Sequence, residues 1–149
     1  PEYNLFERKK VEIDYLPLYD TRMGLGLTVW SPLASGILTG KYSSGMAPEG
    51  SRLSLEANKA KLTERRSDIE AACRLEPIAR ELDCSMAQLA LAWTLRNPHV
   101  STAITGASRI SQVQDNMGAL SVVPRLTDEM MAQIEEALRA SHSSGDSGR

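Results

Sequence analysis

The stretch Leu25-Gly26-Leu27-Thr28-Val29-Trp30-Ser31-Pro32 constrains this chain more than any other. Its short apolar run, bounded by glycines and a proline, predicts a buried parallel strand over 25–30, although periodicity alone also fits a buried helix. Pro32 lacks a backbone donor, so the ladder ends there and the chain leaves the strand abruptly. Leu33, Ala34, Ser35 and Gly36 follow, and this Ser- and Gly-rich turn offers backbone N–H groups to an anion. Lys41 then adds a mobile positive charge. A flat aromatic at a strand end, an open backbone and a lysine together suit a nucleotide bearing phosphates. The same residues also read as a strand, a turn and a surface loop with Trp30 in the core.

A second strand is expected over Val100–Thr105, followed by Gly106-Ala107-Ser108 and a helix over 109–119. Glycine lets a phosphate approach the backbone, Ser108 is a candidate cap, and a helix N-terminus presents unsatisfied N–H groups. Gln112 and Asn116 are four residues apart and share a helix face, with Asp115 beside them. A lone Gly-x-Ser before a helix is also an ordinary cap.

The rest is largely helical in pattern. Residues 1–11 read as irregular with a helical turn over Leu5–Lys10, and Asp14–Met23 reads as a short helix stopped by Gly24. Residues 33–60 form a long glycine-containing connection, of the kind that is functional or disordered. Ser67–Leu82 is a helix that Pro77 is expected to kink or restart, with Asp83 in the left-handed conformation after it. Ser85-Met86-Ala87-Gln88 is a capping box for Met86–Arg96, which is apolar almost all round and so must be buried on more than one face. Thr127 caps a last amphipathic helix to Ala140, and 141–149 is a polar tail expected to be disordered. The helix pair ending in Met86–Arg96 has a helix-turn-helix outline. A recognition helix needs polar, basic side chains for base edges, and this one offers only Arg96.

The motif Trp30-Ser31-Pro32-Leu33-Ala34-x-Gly36-x-Leu38-x-Gly40-Lys41-Tyr42 closely resembles the aldo/keto reductases, and most of all the branch containing the voltage-gated potassium channel beta subunits. The resemblance runs from Pro1 to about Leu138. It implies an α/β fold, the C-terminal portion of a TIM (β/α)8 barrel, with NADP(H) as cofactor. The segment Trp30, Ser31, Pro32, Leu33, Ala34, Ser35 would then follow the seventh strand and wrap the pyrophosphate with Lys41, and Trp30 would stack on the nicotinamide. By the same resemblance Gly106 and Ser108 meet the adenosine phosphate end, and Gln112, Asp115 and Asn116 meet the adenine and ribose. The acid is commonly glutamate in such relatives, and Asp115 is one methylene shorter. Arg52 stands where the family places an arginine near the phosphates, and its planar fork suits a 2′-phosphate. Taken alone it reads as a solvated loop charge.

The resemblance also implies what is not here. The family's proton-transferring Asp, Tyr, Lys and His lie in the first half of the barrel, no residue of this chain matches them, and Lys41, Tyr3 and Tyr42 do not take those roles. A barrel needs eight strands and about 250 residues, so 149 residues with two strands cannot close one. The chain starts at Pro1 without an initiator methionine, and a partial reductase domain over 1–140 is the expectation. The implied function is the cofactor-binding half of a reductase for aldehydes or ketones. The alternatives are a cytoplasmic channel beta-type regulatory subunit, with a channel subunit or further copies of itself as partners, or a truncated non-catalytic product.

Charge and composition exclude other classes. A net charge of −2 gives no basis for binding nucleic acid or an anionic membrane, and no apolar run approaches the roughly 20 residues of a membrane span. Cys73 and Cys84 lack metal-ligand spacing and are expected to be reduced cytosolic thiols. His99 and His142 have no catalytic or metal constellation around them.

Overall fold

The computed structural model describes residues 1–20 and 22–139, so the expected tail at 141–149 and His142 lie outside the described residues. Strands β1 (Leu27–Trp30) and β2 (Val100–Ile104) pair in parallel, with Leu27 opposite Val100 and Trp30 opposite Ile104. β1 starts two residues later than the sequence predicts. A Cβ on Gly26 would lie 2.4 Å from Ser101 Oγ, so a side chain there would require the serine hydroxyl to turn away.

Nor is β1 buried on both faces. Leu27 and Val29 enter the core while Thr28 and Trp30 face outward, because helices cover one side of the sheet only. The first residues are more regular than expected. Glu2 bridges Trp30 in parallel, Trp30 N–H donates to the Pro1 carbonyl at 3.1 Å, and Tyr3 N–H to the Trp30 carbonyl at 3.2 Å. They form a third row beside β1.

The helix expected over Asp14–Met23 is instead a single 3-10 turn at Leu16–Tyr19, preceded by a π-type turn at Lys10–Asp14. Pro17 brings no N–H to an α-helical ladder. Tyr19 is held by tertiary contacts, donating to the Val11 carbonyl at 2.8 Å and stacking on His99 at 3.9 Å between ring centroids. That stacking gives His99 a packing role. The turn expected at Leu5–Lys10 is displaced to Lys10–Asp14.

Residues 33–60 are not structureless. They contain 3-10 turns at Ala34–Thr39, Arg52–Ser54 and Glu56–Asn58 and lead into α1 (Ala60–Glu64). Ile37, Leu38, Tyr42 and Leu53 bury themselves beneath this excursion, and the Tyr42 hydroxyl accepts from Leu53 N–H at 3.3 Å. Helix α2 (Arg66–Glu81) runs through Pro77 without a restart. It ends as a Schellman motif: Asp83 takes φ +45°, its N–H reaches the Arg80 carbonyl and Cys84 N–H reaches the Ala79 carbonyl.

The capping box of α3 (Met86–Arg96) forms as predicted, with Gln88 N–H donating to Ser85 Oγ and Ser85 N–H to Gln88 Oε1, both at 3.1 Å. Residues 89–94 of this helix are all buried, as its all-round apolarity requires. Arg96 donates to the Leu126 carbonyl and to Asp128, a wholly intramolecular role. α4 (Ile110–Met117) and α5 (Ala119–Val122) follow β2, and α6 (Asp128–Arg139) starts at Thr127, whose hydroxyl accepts from Met130 N–H. Arg8 fastens the N-terminal segment to α6 through a bidentate pair with Glu135 at 2.7 and 2.9 Å. Its guanidinium lies 5.0 Å over the Trp93 ring.

One helix face has no cover. Ile110, Val113, Met117 and Leu120 recur at helical spacing along α4 and α5, and all are at least 50% exposed. This stripe, with Ile104 at the end of β2, is apolar surface of the kind that draws partners or aggregates. The 149-residue chain is therefore expected to bind a hydrophobic dye in its folded state. Val113→Lys with Met117→Lys should cut that signal while changing stability by no more than about 0.5 kcal/mol per site, since both side chains already face solvent. Unchanged dye fluorescence would place the exposed apolar surface elsewhere.

Candidate functional site

The parallel pairing carries both strand ends to one edge. Trp30 and Ile104 sit opposite each other at the C-terminal ends of β1 and β2, and the segments that follow diverge around a cleft of about 1060 Å³. Among the sequence candidates, Trp30, Ser31, Pro32, Leu33, Ser35, Lys41, Arg52, Gly106, Ser108, Gln112, Asp115 and Asn116 all line it. Ala34 does not: it is fully buried beneath the turn. Trp30 is 51% exposed, which removes the reading that placed its ring in the core.

The turn after β1 is built under strain. Ser31, Ala34 and Ser35 have φ of 59°, 47° and 59°, left-handed conformations that cost a non-glycine residue about 1–2 kcal/mol each. Asn4 holds the start of this turn. Its side chain is buried, its amide donates to the Ser31 carbonyl at 3.0 Å, and its Oδ1 accepts from the N–H groups of Phe6 and Glu7 at 2.9 and 3.0 Å. Further on, Thr39 Oγ1 donates to the Gly36 carbonyl at 2.8 Å. Lys41 folds back over this backbone: a Cβ on Gly36 would meet its Cε at 2.7 Å and its Nζ at 2.8 Å. Glycine at 36 thus makes room for the ammonium beside the turn.

On the opposite wall, Ser108 does not cap α4. Arg109 occupies the cap position, and Gln112 Oε1 reaches back to accept from Ser108 N–H at 2.8 Å, Arg109 N–H at 3.2 Å and Ser108 Oγ at 3.3 Å. The amide oxygen, two atoms longer in reach than a serine hydroxyl, satisfies the Ser108 and Arg109 N–H groups, while the Ser108 hydroxyl donates to it and does not accept from the helix. Asp115 is tied to the neighbouring helix, its Oδ2 accepting from Ser85 Oγ at 2.9 Å and its Oδ1 from Gln88 Nε2 at 3.0 Å.

Charges of both signs line the cleft. Lys41, Arg52, Lys61 and Arg109 have no ion-pair partner among the described residues, whereas Arg65 is paired with Asp68 at 2.7 Å, and Glu2, Glu49, Glu64 and Asp115 share the same lining. Asn4, Lys61 and Arg109 were not picked out by sequence reasoning. Arg109 had a signal, its place directly after Ser108 at a helix start. Asn4 had none, because its partner lies 27 residues away.

No tyrosine, histidine or cysteine lines the cleft among the described residues. Tyr3 and Tyr42 are buried, and burial holds the Tyr3 phenol well above its ordinary range. Burial likewise raises the Cys84 thiol, which disfavours the reactive thiolate. No group of three or more metal-ligating residues occurs among the described residues. Nor is any described helix long and apolar enough to cross a membrane.

A sequence profile described as the aldo/keto reductase family matches residues 1–139. The chain belongs to the aldo/keto reductase family. Among curated relatives, the "Probable voltage-gated potassium channel subunit beta" of Arabidopsis thaliana is 51% identical over 144 residues, covering 94% of this chain and 43% of that protein. The protein of the same description from Oryza sativa subsp. japonica is 50% identical over 145 residues, with the same coverage. The "Putative voltage-gated potassium channel subunit beta" of Schizosaccharomyces pombe is 44% identical over 142 residues, covering 93% of this chain and 41% of that protein. The chain thus spans less than half the length of the relatives it matches.

Asn4 offers a direct test of how the reductase-family turn is held. Asn4→Ala removes the side-chain donor to the Ser31 carbonyl, which keeps only the Ala34 N–H, and takes the acceptor from the Phe6 and Glu7 N–H groups, so unfolding stability should fall by about 1–3 kcal/mol. Denaturant titration at constant slope reads this, and a loss below 0.5 kcal/mol, roughly the ordinary surface scatter, would mean the turn holds itself.

Proposed function

We propose that this chain is the cofactor-binding, C-terminal portion of a TIM-barrel reductase, holding NADP(H) for the reduction of aldehydes or ketones. One observation carries the reading: two segments, predicted separately from sequence, line one cleft at the C-terminal ends of adjacent parallel strands, with Lys41 and Arg52 on one segment and Ser108 and Arg109 on the other. The C-terminal edge of a parallel α/β sheet is where such folds bind ligands.

The residues present fit the cofactor. Trp30 offers an exposed ring for stacking on the nicotinamide. In the Ser31–Gly36 turn the Ala34 and Gly36 N–H groups are bonded to the Ser31 and Leu33 carbonyls, so the pyrophosphate would meet the Ser31 and Ser35 side of the turn, which lines the cleft. Lys41, held beside Gly36, adds charge to that cradle. Arg52 is the candidate for the 2′-phosphate, where a planar guanidinium binds bidentately. When bound, NADPH supplies a hydride to a carbonyl carbon. This chain's part is to bind and orient. With no tyrosine or histidine lining the cleft among the described residues, the proton for the carbonyl oxygen must come from residues outside them.

A second reading, a cytoplasmic regulatory subunit that binds a channel, is favoured by the names of the relatives, up to 51% identical. Both readings use the same cofactor cleft. Co-purification with a channel's cytoplasmic domain separates them.

Two measurements test the first reading. The 149-residue chain should bind NADPH yet show no carbonyl reduction with it, and turnover above a contaminant-controlled background would overturn the assignment of a purely binding role. Joined to a complete barrel, Arg52→Ala should weaken NADPH by roughly 10- to 150-fold, the equivalent of one hydrogen-bonded charge, and leave NADH nearly unchanged. Trp30→Ala should weaken both, because both carry the nicotinamide. Equal losses for Arg52→Ala with the two cofactors would return Arg52 to a loop charge.

A further inference from the structure

The wall of the cleft formed by α4 contains the side chains best suited to reading a purine, and most of their acceptors are already engaged inside the protein. Gln112 Oε1 accepts from three donors, the N–H groups of Ser108 and Arg109 and the Ser108 hydroxyl. Asp115 accepts from Ser85 Oγ and Gln88 Nε2, one on each carboxylate oxygen, and its backbone carbonyl accepts from Gln88 Nε2 at 2.9 Å.

These bonds form a closed circuit. Gln88 Oε1 accepts from Ser85 N–H while Ser85 Oγ accepts from Gln88 N–H, so the pair that caps α3 also grips α4 through Asp115. The grip depends on Gly118 as well, since a Cβ there would lie 2.4 Å from Gln88 Nε2 and 3.1 Å from the Asp115 carbonyl. Asp115 also places negative charge at the N-terminus of the 11-residue α3, where the helix dipole favours it. An aspartate suits this task because it is short. Its carboxylate stays close to its own backbone carbonyl, and one Gln88 amide can bond both.

We propose that Asp115 and Gln112 are positioning residues that hold the α4 wall in place, and that the cleft selects a dinucleotide by its phosphates while discriminating weakly at the purine 6-position. This rests on the NADP(H) reading above. Selection then falls on Lys41, Arg52 and Arg109, which line the cleft and lack ion-pair partners among the described residues. Arg109 projects from the cap position of α4 with its N–H already satisfied by Gln112, which leaves the guanidinium for a ligand phosphate.

The test uses NADPH and its hypoxanthine analogue, which carries a carbonyl oxygen where adenine carries the 6-amino group. Binding of each to the 149-residue chain is measured by calorimetry. The two affinities are expected within about threefold, because a single engaged contact decides little, whereas an acid reading the amino group would disfavour the analogue by roughly tenfold or more. Asp115→Asn should lower the melting temperature and weaken both ligands by the same factor. If Asp115 reads the base, the same change weakens NADPH and strengthens the analogue, because the new amide can donate to the carbonyl oxygen. That crossover would overturn the proposal, as would a strong preference for NADPH in the unsubstituted chain. Arg109→Ala should weaken NADPH and the analogue alike by roughly tenfold, the scale of one charge-assisted bond, and leave NADH less affected. Absence of binding by NADPH, NADH and the analogue together would instead overturn the NADP(H) reading itself, and the proposal with it.

Discussion

The parallel pairing of β1 with β2 is the constraint on which the rest of this structure depends. Trp30 and Ile104 are far apart in sequence, and only the register that sets them side by side brings the two downstream segments to one edge. Parallel strands must be linked by a crossover, and here the crossover is long enough to hold both the covering helices and a cleft wall. Gly26 lies just before that register, beside the Ser101 hydroxyl. Rigid strands beneath loops are the usual means of presenting a binding surface with precision.

Around that pairing, polar side chains set conformations that hydrophobic burial cannot. Asn4 fixes the strained turn at Ser31 from a neighbouring row of the sheet, and the Ser85–Gln88–Asp115 circuit fixes α4 against α3. Burial of Leu53, Tyr42 and Leu38 anchors the excursion between β1 and α1, and the N–H groups of Ala34, Gly36 and Leu38 are bonded within it. Apolar packing thus places the walls, and hydrogen bonds aim them.

The uncovered stripe on α4 and α5 belongs to the same picture. A family that builds closed barrels surrounds its strands with helices, and a chain spanning less than half of its relatives leaves one helix face and one sheet face without neighbours. The segments that follow the two strands line one cleft, and among the described residues no tyrosine, histidine or cysteine is part of its lining.

The sequence by itself determined the features that depend on near neighbours. The capping box at Ser85 and Gln88, the left-handed Asp83, the Thr127 cap and the two strands before Pro32 and Gly106 follow from residues within a few positions of each other. The membership of the cleft was legible too, because specific motifs follow each strand. The short helix expected after Asp14 was not, since Tyr19 answers to Val11 and His99 rather than to its own periodicity. Tertiary structure alone decided the hold of Asn4 on Ser31, the burial of Ala34 and the recruitment of Asp115 to α3. In these cases the deciding partner is distant in sequence, whereas at the start of α4 the long Gln112 side chain reaches back over a local stretch to the Ser108 and Arg109 N–H groups. A local pattern carries the identity of a hydrogen-bonding group but not which of several partners the folded chain brings within 3 Å of it.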